Sequence, residues 1–226
     1  MNLSKYLLSI AGLMLVSATP SWALITVSSN NAGGNGLLIT SSTGINMPTG
    51  TRIRVGSFND PVGNAAILTG NDFNAIDSIF RPLGEGAAGG GTVAAGQSLA
   101  IGAVAGRFNF SVGGITQAYL PAGVPLFVWA LGGQTVGPSG EWAIVTNNDS
   151  GGVPAGSPWT APVDDPDLGG TITLAVTNQR VDDANDVVKG TLQAAGPPQL
   201  RLAVIPEPGS LALLGLAFGC IRRRRK

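Results

Sequence analysis

The sequence contains no histidine, and its single cysteine is Cys220. Without histidine the chain cannot build a Ser-His-Asp or Cys-His catalytic site, and zinc sites based on histidine or cysteine are excluded as well. A single cysteine also cannot form an intramolecular disulfide. These absences remove several common routes to hydrolytic and metal-dependent catalysis, and we expect a non-catalytic protein.

Charged side chains are scarce, at 12% of the sequence, and the formal net charge of zero hides an uneven distribution. Six of the 13 basic residues lie outside residues 24–205, whereas Glu207 is the only one of the 13 acidic residues outside that range. The body therefore has 12 acidic and 7 basic residues, a net charge near −5. Because nucleic acids bind basic surfaces, we expect no nucleic-acid partner.

Residues 1–23 have the three-part order of a secretory signal peptide. Lys5 precedes an apolar stretch over residues 6–16, and small or polar residues lead to Ser21 and Ala23. Small side chains at those two positions are what a signal peptidase needs before its cut. We therefore predict cleavage after Ala23 by a signal peptidase and export of a chain that begins at Leu24.

Residues 205–226 combine a hinge, an apolar segment and a cationic block. Pro206 and Pro208 fix two backbone torsions and remove two hydrogen-bond donors, which uncouples the body from the apolar segment. The 13 residues from 209 to 221 would form a helix of roughly 20 Å, shorter than the ~30 Å hydrocarbon core of a bilayer. Positive charges at residues 222–226 would stay on the cytoplasmic side. This pattern predicts a transmembrane helix that serves as a temporary membrane anchor.

The three parts of this tail come one after another in a fixed order: Pro206, Glu207 and Pro208, then Leu211, Leu213, Leu214 and Leu216, then Arg222, Arg223, Arg224 and Arg225. In this order the tail resembles the PEP-CTERM sorting signal of exported bacterial proteins. The resemblance implies processing near the Pro-Glu-Pro box by an exosortase, a membrane transpeptidase, in a Gram-negative producer of exopolysaccharide. It implies export through the inner membrane, transient anchoring by the C-terminus, and then a place at the cell surface or in the extracellular matrix.

Residues 24–204, between the two ends, form one domain whose pattern is typical of β structure. Apolar and polar residues alternate around Phe108, Ile172 and Leu202, as they do in half-buried strands. Glycine is frequent, at 34 of 226 residues, which disfavours long helices. We predict a mainly β fold, an antiparallel sandwich or jelly-roll-like domain, with strands over residues 24–28, 37–40, 51–58, 98–104, 108–112, 126–131, 141–146, 171–177 and 199–204.

Two elements and a core can be predicted more closely. The run from Leu126 to Leu131 is apolar throughout, which indicates a central strand covered on both faces. One short helix is predicted from Asp72 to Phe80, capped by Asn71 and ended by Pro82. The side chains predicted to be buried are Phe108, Phe110, Leu126, Val128, Ile172, Leu174 and Leu202.

Four aromatic residues are candidates for stacking on a sugar ring: Tyr119, Trp129, Trp142 and Trp159. Trp129 and Trp142 lie within apolar strand segments, where packing in the core is the simpler interpretation. Trp159 comes after a loop-like Gly-Ser-Pro sequence and is the better candidate for an exposed sugar-binding platform.

Acidic residues suggest two further kinds of site. Paired carboxylates can hydrolyse a glycosidic bond, although acidic clusters more often solvate loops. Asp and Asn oxygens can also bind calcium weakly outside the cell, but no run matches the EF-hand loop, and we assign no metal ligand and no cofactor beyond a weak structural calcium ion. The residues considered for hydrolysis are Glu85, Glu141, Asp164, Asp165, Asp167, Asp182, Asp183 and Asp186, and those considered for calcium are Asn147, Asn148, Asp149, Asp164, Asp165 and Asp167.

Together these features predict an exported, non-catalytic cell-envelope or extracellular-matrix protein that is sorted by an exosortase and associated with exopolysaccharide. Two alternatives stay open. One is a carbohydrate-binding, lectin-like module assisted by calcium, which an exposed Trp159 would favour. The other is a secreted glycoside hydrolase that uses two carboxylates.

Overall fold

The computed structural model describes residues 23–29, 36–84, 92–93, 99–100, 105–115, 123–135, 137–138, 140–148, 158–161, 171–177, 179–183, 185–193 and 197–205. Within these ranges the chain forms fourteen strands and two short helices. The prediction of a mainly β fold is therefore confirmed, with one helix more than predicted. The strands are β1 (Ala23–Ser28), β2 (Leu38–Thr40), β3 (Arg52–Phe58), β4 (Phe80–Gly84), β5 (Thr92–Val93), β6 (Leu99–Ala100), β7 (Asn109–Ile115), β8 (Phe127–Leu131), β9 (Glu141–Val145), β10 (Thr171–Ala175), β11 (Val187–Lys189), β12 (Thr191–Gln193), β13 (Gln199–Arg201) and β14 (Ala203–Val204), and the helices are α1 (Ala65–Thr69) and α2 (Phe73–Ile79).

The strands are arranged in three sheets of mixed direction. A four-stranded sheet has the order β10-β1-β7-β5, and a three-stranded sheet has the order β12-β13-β2. In the seven-stranded sheet, five strands follow one another in the order β11-β9-β8-β3-β4. The other two strands pair at its sides, β14 with β9 and β6 with β3. Three pairs are parallel, namely β1–β10, β5–β7 and β2–β13. A purely antiparallel arrangement is thus wrong, because alternation along a strand indicates which face is buried and not the direction of its neighbour.

The central strands of the seven-stranded sheet, β3, β8 and β9, are buried on both faces. Side chains of β8 alternate between two hydrophobic clusters. Val128 and Ala130 belong to the cluster that also contains residues of β1 and β10. This face therefore packs against the four-stranded sheet. Phe127, Trp129 and Leu131 join a second cluster on the opposite face, together with residues of both helices. Every residue of β8 is buried. The central, doubly covered strand predicted for this run is therefore confirmed.

Most of the predicted core is buried as expected. The confirmed side chains are Phe108, Leu126, Val128, Leu174 and Leu202. The side chains of Phe110 and Ile172 lie outside the described residues, although their backbones belong to β7 and β10.

Helix α2 differs from its prediction at both ends. It is capped by Asp72 rather than Asn71, because Asp72 Oδ1 accepts hydrogen bonds from the backbone N–H groups of Asn74 (3.0 Å) and Ala75 (3.2 Å). It ends at Ile79, and Pro82 lies inside β4 instead of terminating the helix. Since β4 is last in the order of its sheet, proline is tolerated there.

The two ends of the seven-stranded sheet have different neighbours. Strand β3 is roughly 20 Å long, and antiparallel pairing places the start of β9 beside the end of β8. We call the end that holds residues 41–52, 131–135, 140–141 and 203–205 the tail end. The opposite end, which holds residues 58–69, 125–127, 145–148 and 158–160, we call the groove end.

Candidate functional site

A groove of about 520 Å³ opens at the groove end. Its apolar wall includes Val62 and Leu68 from the α1 region and Phe127 from the start of β8. The amide side chains of Asn148 and Asn185 lie on the same lining. A concave, mainly apolar surface with a few polar groups is the usual form of a small-ligand site. This groove is therefore a candidate binding site within the described part of the chain.

Trp159 lines this groove but is not the exposed platform predicted from the sequence. Its side chain is only 4% exposed and belongs to the core cluster shared by the two larger sheets. The preceding Gly-Ser-Pro does not leave it in a free loop, because its backbone N–H donates to Asn147 O (2.9 Å) and its own carbonyl accepts from Leu126 N–H (2.8 Å). These bonds fix the segment against the sheet. A tryptophan buried in this way has too little free surface to stack on a sugar ring.

Trp129 and Trp142 pack in the core, as predicted. Both are fully buried on the helix-covered face, where their ring centroids lie 6.5 Å apart. Phe73 of α2 contacts both rings, at 5.1 Å from Trp129 and 5.9 Å from Trp142. Neither tryptophan is available to an external ligand. Tyr119, the remaining aromatic candidate, lies outside the described residues.

Arg54 is a buried charge that the sequence did not predict. It alternates with Ile53 and Val55 and therefore points to the opposite face of the sheet, which the two helices cover. Its guanidinium carbon lies 4.5 Å from the Phe80 ring centroid and 4.9 Å from that of Trp129. Arg54 Nη1 also donates to Asp77 Oδ1 at 2.5 Å, in an ion pair to helix α2. The group therefore attaches a helix to the aromatic core.

Several of the acidic residues that the structure describes hold the fold together locally. Glu141 accepts hydrogen bonds from Ser42, at 3.0 Å from the backbone N–H and 2.6 Å from the hydroxyl. Asp186 is fully buried and accepts from the backbone N–H groups of Asn148 (3.1 Å) and Asp182 (3.2 Å). Asp183 Oδ1 accepts from the N–H groups of the two residues before β11 in its own turn. Carboxylates engaged in this way organise turns, which was the simpler interpretation of these clusters.

No group of three or more His, Cys, Asp or Glu residues that could hold a metal ion occurs in the described ranges. Asn147 and Asn148 lie beside the groove, whereas Asp149, Asp164, Asp165 and Asp167 are outside the described residues, as is Glu85. The calcium site and the carboxylate pairs that include these residues thus stay predictions.

Lys189 connects strand β11 to the end of helix α1. Its ammonium group donates to the carbonyl of Gly70, to that of Thr69 (3.1 Å) and to Asn71 Oδ1 (2.6 Å), and it lies 5.6 Å from the Trp142 ring centroid. A cation beside the last carbonyls of a helix is favourable. Partial burial nevertheless lowers the pKa of Lys189 below its ordinary value, because desolvation disfavours the charged form.

The described part of the chain ends at the tail end. Strand β14 pairs with the first residues of β9, and Ile205 N–H donates to Gly140 O at 2.8 Å. Ile205 is buried in the helix-covered cluster. The body is therefore hydrogen-bonded up to the residue before Pro206, where the described part ends.

A family model described as the PEP-CTERM protein-sorting motif matches residues 204–226. The chain carries a PEP-CTERM sorting motif. No curated protein and no solved structure gave a match. The predicted tail residues Pro206, Glu207, Pro208, Arg222, Arg223, Arg224 and Arg225 all fall within the matched range.

The PEP-CTERM match indicates how the protein is exported and sorted. It implies export, transient membrane anchoring of the C-terminus and processing by an exosortase. The motif begins at Val204, so its first two residues are part of the folded body. At the other end of the body, Ala23 is the first residue of β1, and cleavage after it would leave the strand intact from Leu24. No helix within the described ranges is long and apolar enough to cross a membrane, and residues 209–221 lie outside those ranges.

Proposed function

We propose that the protein is a non-catalytic component of the cell envelope or extracellular matrix, sorted by an exosortase and associated with exopolysaccharide. The observation that carries the proposal is the PEP-CTERM motif over residues 204–226. The body supports a structural role, since the described carboxylates of Glu141, Asp183 and Asp186 bind groups of the fold itself. A β-rich body with two packed hydrophobic clusters suits a durable extracellular component.

The test is the fate of the tail in hosts with and without an exosortase. We expect the exported protein from an exosortase-containing host to lack Cys220 when intact mass and peptides are measured. The same gene in a host without the enzyme should give the full tail. Recovery of peptides from residues 222–226 in cell-surface material of the exosortase-containing host would contradict the proposal. Co-sedimentation of the processed protein with the producer's own exopolysaccharide tests the proposed association with that polymer.

A second candidate function is carbohydrate binding at the groove end. The observation that favours it is the 520 Å³ groove, in which the amides of Asn148 and Asn185 accompany an apolar wall. Amide groups can hydrogen-bond sugar hydroxyls while apolar side chains contact the faces of the rings. The buried Trp159 would contribute packing rather than stacking.

Two exposed residues allow a matched test of this second function. Val62 is 87% exposed on the groove lining, and Ile45 is 70% exposed at the tail end. Replacing Val62→Lys places a charge at the groove without disturbing the core, and Ile45→Lys is the control. If the groove binds oligosaccharides from the exopolysaccharide, calorimetry should show weaker binding for Val62→Lys only. Equal affinities for both variants and wild type would exclude the groove.

A further inference from the structure

The distance between the folded body and the apolar tail segment is very short. Ile205 is the last described residue and is hydrogen-bonded to Gly140, and the apolar segment begins at Gly209. Even a fully extended chain from Ile205 to Gly209 spans at most about 14 Å. While the tail is anchored, the tail end of the sheet cannot move further than this from the start of the anchored segment. The headgroup region on each side of a bilayer is itself roughly 5–8 Å deep.

The tail end also carries apolar groups at its surface. Of the three large hydrophobic residues exposed in the described ranges, Ile45 (70%) and Val204 (62%) lie at this end. Three contacts link the segments that carry them. Val204 pairs with Glu141, Glu141 accepts a hydrogen bond from Ser42, and Ser41 N–H donates to Ile45 O at 2.8 Å. The guanidinium of the half-buried Arg201 lies against Gly44 of the same turn and adds a basic group beside these apolar side chains.

The groove lies at the opposite end of the same sheet. Val62 and Phe127 line it, and strand β3 separates them from the tail end by roughly 20 Å. A body held at its tail end therefore presents the groove to the medium and not to the lipid.

We infer that the tail end of the body, with Ile45, Val204 and Arg201, rests on the outer surface of the bilayer before processing, and that this contact directs the groove outward. The inference rests on the proposed sorting function, because it requires the anchored tail. The three-residue connection from Pro206 to Pro208 holds the turn that contains Ile45 at the lipid. Without the anchored tail the body would not stay there, because this turn is only weakly apolar.

The experiment uses the exported chain, residues 24–226, in vesicles of phosphatidylethanolamine and phosphatidylglycerol, without exosortase. Cys220→Ser removes the only cysteine, and Ile45→Cys, Val204→Cys or Val62→Cys then gives one labelling site for an environment-sensitive fluorophore. We expect a lipid-borne spin label to quench the fluorophore at positions 45 and 204 several-fold more than at position 62. Equal quenching at positions 45 and 62 would overturn the inference.

Two further measurements separate the inference from the function on which it rests. Flotation with the vesicles reports whether the tail is anchored. A chain that does not float contradicts both the proposed sorting function and the inferred orientation. A chain that floats but is not quenched at position 45 contradicts the orientation alone. Inserting a Gly-Ser linker of about 20 residues, with a mean span of roughly 25 Å, between Ile205 and Pro206 should reduce quenching at position 45. Unchanged quenching with the linker would overturn the role of the short connection.

Discussion

Arg54 shows how one residue determines the packing of a whole face. Its charge lies among aromatic rings, where the faces of Phe80 and Trp129 attract the cation and Asp77 compensates it. Burial of a charge is costly without such partners. The ion pair is asymmetric, since the Arg54 side chain is buried while that of Asp77 is 42% exposed.

Replacing Asp77→Asn should lower the free energy of unfolding by about 1–2 kcal/mol, because the buried guanidinium loses a charged acceptor. The cost stays below the roughly 3–5 kcal/mol typical of fully buried pairs, since Asp77 is partly hydrated. Asp182→Asn, at an exposed acid of the turn before β11, is the control and should be nearly neutral. Urea unfolding followed by tryptophan fluorescence measures both, and equal stability of the two variants would contradict this role.

Lys189 predicts a pH dependence of stability. Its pKa is lowered in the fold by desolvation, from 10.5. Between the folded and unfolded pKa values the unfolded chain binds more protons, so the contribution of Lys189 to the unfolding free energy rises with pH in that window. The stability of wild type relative to Lys189→Met should therefore increase as pH is raised from neutral towards 10.5.

Lys189→Arg is the matched control for this measurement, because arginine stays charged throughout the range. Its stability relative to Lys189→Met should not change with pH. If the stability of wild type relative to Lys189→Met stays constant or falls as pH rises, the bonds to Thr69, Gly70 and Asn71 outweigh the desolvation of the ammonium group.

Elements that depend on local alternation could be predicted from the sequence. The strand that contains Ile25 buries Ile25 and Val27, and the segment around Leu174 buries Leu174 and Val176, as the alternation predicts. Pairing direction could not be predicted, because the parallel neighbours β1 and β10 are far apart in the chain. Helix α1 has only five residues, too few for a helical period to be visible.

The candidate site was less predictable than the strands, for a related reason. Trp159 is buried because its backbone pairs with residues 126 and 147, and neither contact can be read from the Gly-Ser-Pro before it. The groove brings together the α1 region, the start of β8 and the segments around residues 147 and 159. Only the fold places these segments side by side. The tail, by contrast, is a continuous motif, and the sequence alone indicated it.

The cap of helix α2 provides a prediction at the level of the element. Asp72→Ala removes the acceptor for the N–H groups of Asn74 and Ala75 and should lower the free energy of unfolding by about 1 kcal/mol. Asp72→Ser should retain most of the stability that the cap contributes, because the serine hydroxyl oxygen can accept the same hydrogen bonds. Asn74→Ala, at an exposed position of the same first turn, is the control. Chemical denaturation measures all three, and an Asp72→Ala variant as stable as wild type would contradict the cap.

In the whole molecule, only the three residues from Pro206 to Pro208 separate the body from the apolar segment of the tail. The basic block at the end of the tail acts as a stop, since moving each arginine across a bilayer costs on the order of 2–3 kcal/mol even on insertion scales. Replacing Arg222, Arg223, Arg224 and Arg225 by Ser should let the short apolar segment slip through, so that unprocessed protein is released into the periplasm. Replacing them by Lys should leave retention nearly unchanged, because the charge is kept.

Fractionation and intact-mass measurement of the two four-residue variants in an exosortase-containing host test this explanation. If the Ser variant is anchored and trimmed like wild type, the charges are not the stop. If the Lys variant is retained but not trimmed, the enzyme recognises the guanidinium groups themselves.

The position of β1 has a consequence for the order in which the molecule is completed. β1 lies between β7 and β10, and its parallel partner begins at Thr171, about 150 residues later in the chain, a separation that slows folding. Until Thr171–Ala175 has crossed the inner membrane, one edge of β1 stays open to wrong partners. The remaining strands and the tail emerge shortly afterwards. Closure of the four-stranded sheet and arrival of the tail at the membrane are therefore nearly simultaneous events during the export of each molecule.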